Sequence, residues 1–139
     1  MRSASLGFTL IELVVVMILI GILAAYAAPK FAGRGGYSEL TVQQDLKQSI
    51  RFAQQLAMSR TSDTITFTTT STTIDVKDGT SPASGYPKTV PSDVTLSSLT
   101  LTFDRFGSAG TTTRQIDATG TERTLSVCVA GTTGYAYEC

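Results

Sequence analysis

The sequence predicts an α+β fold: a long N-terminal α-helix, transmembrane in its first half and amphipathic in its second, packed on a small antiparallel β-sheet domain. Three observations carry this. Residues 13–28 contain no charge at all. Residues 39–60 place apolar side chains at spacings of three and four, the period of a helix with one buried face. After Ser62 the composition turns to threonine, serine and glycine, and the apolar period changes to two, the signature of half-buried strands.

The apolar run comes first. Counted from Phe8 up to Pro29 it spans about 21 residues, or roughly 31 Å of helix at ~1.5 Å per residue. The hydrocarbon core of a bilayer is ~30 Å thick. One acid, Glu12, stands near its start, where an unpaired carboxylate in lipid costs several kcal/mol. The leader before it carries Arg2 and no acid, which keeps the N-terminus on the cytoplasmic side. A secretory signal peptide would have a shorter apolar core with a small-residue cleavage site after it. A plain signal anchor accounts for the run but leaves the acid unexplained.

The string Gly7-Phe8-Thr9-Leu10-Ile11-Glu12 resembles the processing site of type IV prepilins and type II secretion pseudopilins. The resemblance implies that a prepilin peptidase/methyltransferase cuts after Gly7 and N-methylates Phe8. It also implies that Glu12 pairs with the N-terminal amine of a neighbouring subunit during assembly. A buried carboxylate and a buried ammonium are each costly alone and tolerable together. Gly21 and Pro29 resemble the glycine and proline that loosen this helix in the family. Proline removes an N–H and clashes with the preceding turn, so a kink or local melting is expected there. Both residue types are also common in membrane helices generally.

Composition sets limits on chemistry. Of 139 residues, 11 are Lys or Arg and 11 are Asp or Glu, so the chain is neutral, and it has no histidine and no tryptophan. Without histidine it lacks the commonest general base and the commonest metal ligand. No enzymatic activity, no cofactor and no metal site are expected. The absence of a basic field argues against nucleic-acid binding. Beyond leader and span, about 110 residues remain, enough for one small domain.

Gly33-Arg34-Gly35-Gly36 disfavours helix by ~1 kcal/mol per glycine relative to alanine, so a break or hinge is expected. It is no phosphate loop, because no Lys-Ser/Thr follows. Ser38 is the expected N-cap of the next helix, with Glu39 in its first turn. Val42, Leu46, Ile50, Ala53 and Ala57 form the stripe that should lie on the sheet, with Leu56 beside it. Gln43, Lys47, Gln48, Arg51, Gln54 and Gln55 fall on other faces and are expected to meet solvent or neighbouring subunits.

Alternation over residues 64–68 and 74–77 predicts a strand pair, with Asp78-Gly79 as a turn. Asp75, Asp78 and Gly79 faintly resemble a calcium loop, but its 12-residue spacing and terminal glutamate are missing. Residues 81–91, with three prolines, read as irregular loop. Strands return at 94–96 and 99–103; residues 106–110 turn the chain. Residues 114–118 and 123–129 pair around Thr119-Gly120, and Tyr135-Ala136-Tyr137 supplies a final edge strand.

This order, with Leu101-Thr102-Phe103-Asp104-Arg105-Phe106-Gly107, is similar to the GspH/FimT-like minor pilins. The segment Arg51-Phe52-Ala53-Gln54-Gln55-Leu56-Ala57-Met58 resembles the minor pilins of the mannose-sensitive haemagglutinin (MSHA) pilus. Cys128 and Cys139 are the only cysteines. In an exported, oxidising setting such thiols pair, and the pairing resembles the disulfide-bounded C-terminal region of many pilins. Two free or metal-binding thiols are the alternative, with no further ligands nearby.

The domain reading is therefore a leader at 1–7, a transmembrane and assembly helix at 8–29, a junction and amphipathic helix at 30–60, and a periplasmic β-rich domain at 61–139. The family implies an inner-membrane precursor with a periplasmic C-terminus, later part of a pilus or pseudopilus. Its partners would be the prepilin peptidase, major and other minor pilins, and the inner-membrane assembly platform. Two alternatives stay open: a GspH-like type II secretion pseudopilin, and a DNA-binding FimT-like minor pilin. The last suits a basic tail, whereas this one reads Tyr135-Ala136-Tyr137-Glu138-Cys139.

Overall fold

The computed structural model describes residues 9–32, 35–60 and 64–139, and divides the chain into two compact units, one ending at Arg34 and one starting at Gly35. The described part of the first forms one helix, α1 (Leu10–Ala32). It runs as one helix through Gly21 and Pro29. The peptide groups of an apolar helix have no better partners than each other. Of the expected break at Gly33-Arg34-Gly35-Gly36, Gly33 and Arg34 lie outside the described residues, while Gly35 and Gly36 open the next helix.

The second unit begins with α2 (Gly35–Ser59). It starts earlier than expected: Ser38 lies inside the helix rather than capping it, and Glu39 falls beyond the first turn. Propensity is a weak prior that tertiary contacts override, and here Glu39, Val42 and Gln43 are all buried against the sheets. The predicted stripe of Val42, Leu46, Ile50, Ala53 and Ala57 is buried along its whole length. Leu56 packs at its margin.

Among the described residues nine antiparallel strands follow, in two sheets rather than one. The first has β1 (Ile65–Thr69) between β2 (Thr73–Asp78) and β6 (Leu99–Phe103). The two-residue strands β3 (Ser81–Pro82) and β4 (Lys88–Thr89) both pair with β2. The segment expected to be an irregular loop thus supplies sheet edges, where proline's missing N–H costs no ladder bond. The second sheet runs β5 (Thr95–Leu96), β7 (Arg114–Thr119), β8 (Thr124–Val129) and β9 (Ala136–Glu138).

Both sheets contribute to the core under α2. Ile65, Phe67, Val76, Leu101 and Phe103 come from the first, and Ile116, Ala118, Val127, Val129 and Ala136 from the second. The sheets are tied where the chain crosses from β5 to β6. The buried Thr69 hydroxyl accepts the Leu99 N–H at 3.0 Å and donates to the Ser97 carbonyl at 2.8 Å. Ser97 Oγ in turn accepts the Asp117 N–H at 2.9 Å. Hydrogen bonds from Gln115 and then Ser126 hold the Asp117 carboxyl below its ordinary pKa, against a smaller opposing effect of burial.

The remaining side chains of α2 do not all face solvent. Gln43 is buried and donates to the Ser126 carbonyl at 3.1 Å. Lys47 pairs with Glu138 beside the C-terminus. Gln54 donates to the Thr133 carbonyl at 2.7 Å. These residues form a polar seam along the apolar stripe, because strand and loop carbonyls need donors where the sheet edge meets the helix. Asp75 and Asp78 are in ion pairs with Lys77 and Arg60, and Gly79 turns the chain, so the hairpin reading holds there.

Two glycines mark close approaches. Gly120 sits against the carboxylate of fully buried Glu39, whose Oε1 accepts the Glu122 N–H at 3.5 Å. Gly134 has φ +67° and packs on the Gly107 carbonyl, so a Cβ there would collide with backbone. Gly134→Ala is expected to cost about 2 kcal/mol or more. Gly79→Ala, at φ +62° but with open space around it, should cost only about 1 kcal/mol. Urea unfolding of the two variants side by side separates the clash from the shared conformational strain.

Candidate functional site

The site best defined by the chain is the start of α1. Thr9 precedes the helix, its Oγ1 accepts the N–H of Glu12 at 3.3 Å, and its carbonyl accepts the N–H of Leu13 at 3.2 Å. Thr9-Leu10-Ile11-Glu12 therefore has the Thr-x-x-Glu spacing of a capping box, with threonine as N-cap and glutamate at the third helical position. Sequence reasoning treated Glu12 as an awkward acid and passed over this signal, although the spacing was on view. Glu12 also lies in the first turn of the helix, at the positive end of its dipole.

Below the cap, Glu12 shares one stripe with Leu13, Val16, Met17 and Ile20, and these five side chains line a shallow groove along the helix. Glu12, Val16 and Ile20 are one turn apart in succession, with Leu13 and Met17 beside them. The carboxylate thus stands at the head of an apolar strip. All five side chains are exposed. An arrangement of this kind can hold another apolar helix along its strip and a cation at its head.

The other predicted positions are more scattered. Gly7 and Phe8, the expected cleavage and methylation site, lie outside the described residues. Gly21 is inside α1, and a Cβ there would meet nothing within 4 Å. Pro29 falls within the same helix. Cys128 and Cys139 are bonded, with Cα atoms 5.7 Å apart, an ordinary disulfide separation. Among the described residues no group of three His, Cys, Asp or Glu side chains is placed to hold a metal ion.

α1 is long and apolar enough over Leu10–Ala28 to cross a membrane. Residues 2–28 match the family model of the prokaryotic N-terminal methylation motif. No curated protein and no solved structure matches the chain. The motif implies processing by a prepilin peptidase and assembly with other pilins, and with the apolar helix it is consistent with membrane anchoring. Motif, helix and disulfide-closed α+β unit together support a type IV pilin-like or pseudopilin protein.

Proposed function

We propose that this chain is a structural, non-enzymatic minor pilin of an MSHA-like type IV pilus. It is held in the inner membrane by α1, with its β-rich unit in the periplasm. It is cut between Gly7 and Phe8, methylated at Phe8, and drawn into the filament or its priming complex. The observation that carries this is Glu12, the only charged residue of the span, at the head of its apolar strip. An acid there is a liability in lipid and an asset against a neighbour's N-terminal ammonium.

The cap of α1 is made by the Thr9 hydroxyl on the Glu12 N–H, so the test must part that cap from pairing by the Glu12 carboxylate. Glutamine keeps the size of the side chain and one acceptor oxygen but loses the charge. Glu12→Gln and Glu12→Ala are both expected to remain in the membrane fraction. Filament incorporation should drop tenfold or more, as expected when a buried ion pair worth about 3–5 kcal/mol is broken. Thr9→Ala, which removes only the cap, should assemble nearly normally. Sheared-filament immunoblots measure this, and normal incorporation of Glu12→Gln would refute the pairing role. A gene deletion that spares pili but abolishes secretion of folded proteins would assign the chain to a type II secretion pseudopilus instead.

A further inference from the structure

The second unit carries an exposed aromatic patch at one corner. Met58, Phe106, Tyr135 and Tyr137 are four of the six large apolar side chains exposed in its described part, Phe106 being 73% exposed. They gather around one backbone contact. Gly107 lies beside the Met58 sulfur, and Gly134 packs on the Gly107 carbonyl. Phe106 and Tyr135 are the chain neighbours of those two glycines. Tyr135 and Tyr137 stack with centroids 6.2 Å apart.

The mounting is rigid. Asp104 Oδ1 accepts the N–H groups of both Phe106 and Ser108 at 2.9 Å, which fixes the turn that presents Phe106. The tail bearing the tyrosines is closed by the Cys128–Cys139 disulfide and held to α2 by Gln54 and Lys47. Apolar side chains held out on preorganised turns lose little entropy on binding. A clustered exposed patch of this kind marks an interaction site more often than scattered single residues do.

Its charge indicates what covers it. Arg105 lies over the Phe106 ring at 4.8 Å and has no carboxylate partner among the described residues. The nearby acids are already engaged: Asp104 within its turn, Glu138 with Lys47. Aromatic residues, methionine and arginine, with acids tied up, are the composition of protein-binding hot spots. A second copy meeting this patch face to face would bring Arg105 no free carboxylate, because its nearby acids are engaged in the same way. We propose that this patch docks a different polypeptide, through an apolar pocket that receives Phe106 and a carboxylate at its rim that meets Arg105. This does not rest on the filament reading and holds whatever Glu12 does.

The test uses the full chain in the membrane of cells that produce it. A photo-crosslinking phenylalanine analogue is placed at position 106, with position 80, in the exposed turn between β2 and β3, as control. The expected adduct is to one other protein, and peptide mapping places it at an apolar pocket with an adjacent acid. With that protein purified and the full chain in detergent, Phe106→Ala and Arg105→Glu should each weaken binding about tenfold or more. Lysine at the mapped partner acid should restore binding to Arg105→Glu, while Thr80→Ala changes nothing. Both substituted side chains are exposed, and an intact disulfide with an unchanged thermal midpoint verifies folding. The proposal is overturned by no adduct above the position-80 control, by an adduct to polysaccharide or to a second copy of this chain, or by unchanged affinity of Arg105→Glu.

Discussion

Phe67→Ala is expected to destabilise the second unit by about 3–5 kcal/mol, the range for deleting a buried aromatic ring. Phe67 is fully buried in the middle of β1, the strand that β2 and β6 flank, opposite Val76 on one side and Leu101 on the other. The core cluster it belongs to includes the apolar stripe of α2. The cavity would open where the first sheet and the helix meet, and a two-sided sheet strand cannot collapse to fill it. A small domain has about 5–15 kcal/mol in total, so this one change consumes much of it. Urea titration is the measurement, with the midpoint falling and the slope unchanged. A loss below about 1 kcal/mol would mean that the ring is not enclosed by helix and sheet as described.

Cys139→Ser is the second large expectation. The disulfide joins residues 11 apart, and closing so short a loop contributes about 3 kcal/mol on the chain-entropy model. For a unit of this size that corresponds to a thermal midpoint lower by roughly 10–20 °C. Part of the tail should remain in place after reduction. Gln54 still reaches the Thr133 carbonyl, the Lys47–Glu138 pair persists, and Ala130 and Tyr135 still share a backbone bond at 3.0 Å. The expected picture is therefore a lower midpoint with a faster-cut C-terminus, not global unfolding. Thermal melts of oxidised, dithiothreitol-reduced and Cys139→Ser protein, with limited proteolysis of each, check both halves. Equal midpoints for all three would remove the disulfide from the stability of the fold.

How much was legible beforehand differs from element to element. The stripe of α2 was readable because Val42, Leu46, Ile50, Ala53 and Ala57 recur at helical spacing, and each is buried. The hairpin β7–β8 was readable from alternation on both sides of Thr119-Gly120, and its register runs from Arg114 opposite Val129 to Thr119 opposite Thr124. The start of α2 was misjudged because Ser38 and the glycines before it are weak local signals. Burial of Glu39, Val42 and Gln43 outweighs them. Gln43 and Gln54 could not be assigned from sequence, since an amide beside an apolar stripe looks the same whether it meets water or a carbonyl 83 or 79 residues away.

The candidate site divides along the same line. The span, its lone acid and the methylation motif are contiguous in the chain, and the chemistry of a charge in lipid needs no fold to be recognised. The Thr9 cap was equally local and was overlooked rather than hidden. The aromatic corner was invisible, because Met58, Phe106, Tyr135 and Tyr137 come from three separate segments that meet only where Gly107 touches Gly134.

The sequence by itself determined the apolar helix, the periods of α2 and the longer strands, and which cysteines could pair. Each follows from the order of neighbouring residues and from the local geometry of helix and strand. Only the tertiary structure decided that the strands form two sheets, that α2 is stitched to the second by a polar seam, and which side chains stay uncovered. Those outcomes depend on contacts between residues far apart in the chain, where backbone groups must find partners and apolar surface must find cover.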